Sequence, residues 1–148
     1  MNIINTLCLR NLLTYYIKAG ILSEEDARDY YFGCRQNCET IEESLLVVMS
    51  KHYIDYKNLP LRIKSDYSFL RKACFKQPKF LKSVFENSFH ALAEMLKLMN
   101  LSEVVVLLTN PHNELTEAQT KSILSAKTME LKQKFAKAEE VKVEQAAI

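Results

Sequence analysis

The chain has 148 residues, of which 48% are hydrophobic and 26% charged, and its formal net charge is +2. These proportions are those of an ordinary globular domain, and they exclude a disordered or fibrous chain. No apolar run reaches the ~18 to 20 residues that cross a bilayer. We therefore expect an untargeted, cytoplasmic protein without membrane insertion.

The scarcity of turn residues and three helix-start patterns predict the fold class. The chain has two glycines and three prolines, too few for the turns of a β-sheet protein. Three segments place a hydroxyl residue three positions before an acid or amide, the pattern of a helix N-cap: Ser23-x-x-Asp26, Thr40-x-x-Glu43 and Thr116-x-x-Gln119. We predict an all-α bundle of six to eight helices.

In chain order, the first half of the sequence predicts three helices. Apolar residues at helical spacing cover residues 3–18, and Gly20 follows at the position of a helix C-cap. A second helix begins at Ser23 with acids in its first turn. A third begins at Thr40 and ends near Tyr53.

The middle of the chain predicts a connector followed by the central helix. Pro60 limits helix formation within residues 55–64, and a short helix then runs from Ser65 or Asp66 to Lys76. Residues 78–99 are apolar around more than half of a helical surface, which predicts one long helix with neighbours on two sides. We expect truncation of its Phe85 or Leu92 to alanine to cost ~2–5 kcal/mol.

The last third contains one ambiguous element. The run Val104-Val105-Val106-Leu107-Leu108 is rich in β-branched residues, which favour strands, but no second strand is evident and Ser102 is a plausible N-cap. We predict a helix there. After a loop at 110–115, a final helix begins at Thr116. We expect a single domain over residues 1–138 and a frayed tail over 139–148.

Two candidate partner-binding surfaces emerge. The final helix carries a narrow apolar stripe typical of a seam with a partner helix: Leu124, Leu131 and Phe135. Residues 57–82 form a basic segment with eight Lys or Arg side chains. Four lysines are the candidates for contact with an acidic protein: Lys72, Lys76, Lys79 and Lys82.

The same basic segment supports an alternative function. Four aromatic residues alternate with its cations: Tyr67, Phe69, Phe75 and Phe80. Cations neutralise phosphates and aromatic rings stack on bases, so the alternative is a nucleic-acid-binding regulator. At helical spacing, however, the same rings are typical of a core.

The sequence indicates no reaction. Cys34 and Cys38 are spaced like one pair of zinc ligands, but a second pair is missing, so reduced, buried thiols are expected. With Gly20 and Gly33 as the only glycines, a glycine-rich phosphate loop is excluded. We predict no enzymatic activity, no catalytic residue, no metal and no cofactor.

About residues 9–69 resemble a known family. The run Gly20-Ile21-Leu22-Ser23 between two helices, and the later Ile54-Asp55 step, are similar to the N-terminal helical module of the assembly ATPases of type IV pili and type II secretion systems. The ATPase motor and its phosphate loop have no counterpart here. The resemblance implies a docking module without a motor. Together with the composition, it predicts a non-enzymatic adaptor of a secretion or pilus-type machinery.

Overall fold

The computed structural model describes the backbone of residues 1–147 and the side-chain surroundings of residues 1–140. Over this range the chain forms nine α-helices and one 3-10 turn, with no strand, so the predicted all-α bundle is confirmed. The helices are α1 (Ile3–Lys18), α2 (Glu24–Asn37), α3 (Ile41–Met49), α4 (Leu61–Lys64), α5 (Tyr67–Lys76), α6 (Phe80–Asn87), α7 (Phe89–Lys97), α8 (Leu101–Thr109) and α9 (Glu117–Ala147), and the 3-10 turn is Tyr56–Asn58. None of the helices described is long and apolar enough to cross a membrane.

The predicted helix boundaries before α2, α3 and α9 are confirmed. The hydroxyl oxygens of Ser23, Thr40 and Thr116 each accept a hydrogen bond from the backbone N–H three residues later, at 3.0–3.2 Å. At α9 the pairing is reciprocal, because Gln119 Oε1 also accepts from the Thr116 N–H at 3.1 Å. Gly20 follows α1 with φ +74°, a left-handed conformation that suits glycine.

The single central helix predicted over 78–99 is wrong in one respect, because the chain breaks it at Ser88. This residue is extended (φ −154°, ψ 97°), and it ends α6 and caps α7. Its Oγ accepts from the Ala91 N–H at 3.1 Å, so the hydroxyl satisfies an amide that a continuous helix would have bonded internally. The apolar pattern continues through the break and conceals it.

The ambiguous run at 104–108 is helical, as predicted, but its N-cap lies two residues earlier than expected. Asn100, not Ser102, caps α8. Asn100 Oδ1 accepts from the Glu103 N–H at 2.8 Å, and a Glu103 carboxylate oxygen accepts from the Asn100 N–H at 3.2 Å. An amide cap satisfies the same backbone donors as a hydroxyl cap does.

One cluster of buried side chains joins the helices from α1 to α9. It includes Tyr16 of α1, Phe80 of α6 and Leu92 of α7, all fully buried. Ile123 brings α9 into the same cluster, also with no exposed surface. The C-terminal helix is therefore part of the core over its first turns.

Helix α9 has two halves with different surroundings. Ile123 and Lys127 are buried, whereas every side chain from 132 to 140 is exposed. The helical backbone is continuous past residue 139 to Ala147. Fraying of residues 139–148 stays a prediction. The second half of α9, as far as residue 140, extends beyond the body of the bundle.

Candidate interaction surfaces

The four predicted lysines do not form one free basic face. Lys72 and Lys76 are exposed on α5, with no ion-pair partner within residues 1–140. Lys79 Nζ lies 3.3 Å from a carboxylate oxygen of Glu114. Lys82 donates to the Glu114 carbonyl at 3.1 Å. The two pairs of lysines therefore differ in how much of their charge is already neutralised within the protein.

The aromatic residues of the basic segment lie mostly in the core. Phe69 and Phe80 are buried, and Tyr67 is half-buried with its ring edge-on to His90. Phe75 keeps 43% of its surface exposed. A nucleic acid at this segment would thus have one freely exposed ring for base stacking, where the sequence offered four.

Instead, the fold assembles a cationic cleft of about 250 Å³ at one end of α5. Its basic side chains come from three separate parts of the chain: Lys51 and His52 after α3, Lys76 and Lys79 around the α5–α6 turn, and His112 in the α8–α9 loop. No acidic side chain of the described chain lines it. We call these five residues the basic cleft.

Two hydrogen-bonded contacts fix the walls of the basic cleft. The buried amide of Gln77 donates to the Ile54 carbonyl at 2.8 Å and accepts from the Ile54 N–H at 3.0 Å, which joins the α5–α6 turn to the segment after α3. His52 Nδ1 hydrogen-bonds the Tyr30 hydroxyl at 2.8 Å, and its Nε2 lies 3.5 Å from Asp26. The cleft is therefore preformed rather than made by mobile side chains alone.

Only Lys76 and Lys79 of this cleft were candidates from the sequence. Lys51, His52 and His112 were missed because they lie 24 to 36 residues from those lysines along the chain. No local pattern carries information about that proximity. The hydrogen bonds between the Gln77 side chain and the backbone of Ile54 bring two of these segments together.

The apolar stripe of α9 is divided between body and solvent. Leu131 is half-buried at the edge of the bundle, Leu124 is 41% exposed and Phe135 is 69% exposed. From 131 to 138 the helix carries Lys132, Lys134 and Lys137 and no acid. The part of the stripe that lies away from the bundle is thus the exposed ring of Phe135, with lysines near it.

A buried cation attaches α9 to the end of α7. Lys127 Nζ, with no exposed side-chain surface, donates to the carbonyls of Leu96 and Met99 and to Glu130, the first at 2.8 Å and the last at 2.7 Å. Lys134 lies 2.7 Å from the other Glu130 oxygen. We call Lys127, Glu130 and Lys134 the Lys127 network. It supplies a cation to two carbonyls at the C-terminal end of α7, where the helix dipole favours positive charge.

Two carboxylates in this region are held ionised. Burial opposes the charge of Glu130 and of Glu103, but hydrogen bonds and cations outweigh it, so the pKa of each is lowered. Glu130 has the Lys127 network, and Glu103 accepts from Arg71 Nε at 2.9 Å. The Glu103–Arg71 contact attaches α8 to the bundle, and the Lys127 network attaches α9 to it.

We expect acid to weaken the fold through these carboxylates. A carboxyl whose pKa is lower in the folded state contributes stability above its unfolded pKa and loses it as the pH falls through the folded value. The urea midpoint, followed by circular dichroism, should therefore decrease from neutral pH into the range below ordinary carboxyl titration. The E103Q variant should start less stable and show a shallower decrease. An identical pH profile in E103Q would remove Glu103 as a source.

Cys34 and Cys38 are free, buried thiols, as expected from the sequence. They are buried together at the end of α2. Burial is the main reason that the pKa of Cys34 is raised to about 11, and the neighbouring Cys38 thiol raises it further. Such a thiol is a poor nucleophile at neutral pH. Among the described residues no group of three or more His, Cys, Asp or Glu could hold a metal ion.

Comparison of the chain with protein-family models, with curated proteins and with solved structures found no match.

Proposed function

We propose that this protein is a non-enzymatic adaptor that binds an acidic, amphipathic helix of another protein along the free part of α9. The observation that carries the proposal is the position of Phe135, which is 69% exposed on a helix whose earlier turns are anchored in the core. A large apolar side chain held away from its own core is the usual anchor of a helix-to-helix contact.

Charge decides the chemistry of the partner. Lys132 lies one turn before Phe135 on the same face and Lys134 lies beside it, paired with Glu130, and no acid lies between residues 131 and 138. A partner helix with acids beside its apolar stripe would meet these lysines, which favours correct pairing and fast association more than it adds affinity. The resemblance to secretion and pilus ATPase modules makes a cytoplasmic secretion machinery the first place to look for that partner.

Replacing Phe135 by alanine is expected to weaken partner binding about 30-fold or more, the usual effect of removing a central aromatic anchor. The measurement is affinity capture from nuclease-treated lysate with three baits, followed by titration of the purified partner. The baits are the full-length protein, F135A, and the control Q133A, whose side chain is also exposed but on the opposite face of α9.

A protein retained by the wild type and Q133A but lost with F135A, and containing an acidic helix, supports the proposal. Equal retention by F135A would contradict it. Sedimentation of the three proteins provides a second reading. A wild-type dimer that F135A abolishes would identify a second copy of this chain as the occupant and would also overturn the acidic-partner proposal.

A further inference from the structure

We propose that the basic cleft binds a phosphate monoester. The inference is independent of α9 and of the adaptor proposal. Lys51 and Lys76 supply two exposed ammonium groups without an ion-pair partner in the part of the chain that the structure describes, and Lys79 adds a third at the same cleft. A phosphate dianion has the charge and the three acceptor oxygens that such a set of donors satisfies.

The shape of the cleft favours one compact anion over a nucleic-acid backbone. Its basic side chains line a space of about 250 Å³, enough for a phosphate and the group that carries it. Away from this cleft, the arginines of the basic segment are engaged internally: Arg71 with Glu103, and Arg62 with Glu42 at 2.9 Å. A strand of nucleic acid needs a continuous row of free cations, and here that row is interrupted.

Two acids next to the basic cleft reduce its positive charge before a ligand binds. Asp26 lies beside His52, and Glu114 lies 3.3 Å from Lys79. Glu114 does not line the cleft itself, so it lowers the positive potential at the cleft without blocking entry. Removing this carboxylate should therefore strengthen phosphate binding, whereas removing a free lysine should weaken it.

These opposite effects give a test that a folding defect cannot imitate. We would titrate the ¹⁵N-labelled full-length protein with inorganic phosphate and with a phosphoserine peptide, and follow the amide shifts of residues 50–53, 76–80 and 111–113. The expected result is saturable binding that weakens about tenfold or more in K76Q and in K51Q, since each loses a charged hydrogen bond. It should tighten in E114Q. The control K121Q, at an exposed lysine on α9, should bind like the wild type.

Two further comparisons of affinity identify the source of the phosphate and test the proposal. Tighter binding of the phosphoserine peptide than of free phosphate assigns the group to a protein, and equal binding assigns it to a small phosphorylated molecule; either result supports the site. Absence of shifts at these amides, or equal affinity in K76Q and the wild type, would overturn it. So would tighter binding of a single-stranded oligonucleotide than of either phosphate probe, because that result identifies a nucleic-acid surface.

Discussion

Replacing Lys127 by alanine is expected to lower the free energy of unfolding by about 3–5 kcal/mol, the cost of removing one partner from a buried ion pair. The variant removes the ammonium donor from the carbonyls of Leu96 and Met99, and it leaves the largely buried Glu130 with Lys134 as its remaining cation. Natural domains are stable by only about 5–15 kcal/mol, so the change would remove a large share of the total. Urea unfolding followed by circular dichroism measures it.

A matched substitution separates this effect from a general loss of charge on α9. Lys121 also pairs with an acid on its own helix, Glu117, but 76% of its side chain is exposed. K121A should leave the unfolding midpoint unchanged, because exposed pairs contribute little. If K127A and K121A behave alike, the Lys127 network does not stabilise the fold and α9 is held by Ile123 and its neighbours.

Truncation of Leu92 to alanine is expected to cost about 2–5 kcal/mol, because it removes a fully buried side chain and leaves a cavity among α7 and its neighbours. The control is Leu98→Ala at the C-cap of α7, a residue with 52% of its surface exposed. The urea unfolding midpoint of L98A should decrease far less than that of L92A. Equal losses in the two variants would mean that the core is not centred on α7.

Phe85 differs from Leu92, although the sequence treats them alike. It is half-buried and stacks edge-on against the ring of Phe89 at 5.9 Å. Its truncation should therefore fall at the lower end of the same range, because part of the ring is already in water.

Local signals were enough to predict the fold class and most helix boundaries. An N-cap can be predicted locally because its side chain bonds to a backbone N–H only three residues later, as in Ser23, Thr40 and Thr116. Ser88 is a cap of the same kind, and its hydroxyl three residues before Ala91 is visible in the sequence. It was missed because a continuous apolar pattern outweighed it.

Long-range charge contacts could not be predicted in this way. Lys127 reads as one of many solvated lysines on a polar helix, yet it is buried against the end of α7, about 30 residues earlier in the chain. The first half of α9 thus packs through Ile123 and a lysine, not through the apolar stripe that begins at Leu124. The basic cleft has the same origin, since the long-range pairing of Gln77 with Ile54 joins two of its walls.

The Lys127 network also bears on how the protein is made. Synthesis proceeds from the N-terminus, so α7 leaves the ribosome while the helix that supplies Lys127 is still being translated. Until then the carbonyls of Leu96 and Met99 have no ammonium donor, and the site of Ile123 in the core is unfilled. The bundle therefore completes its core only after α9 has been synthesised, and a nascent chain stalled before α9 should be captured by chaperones.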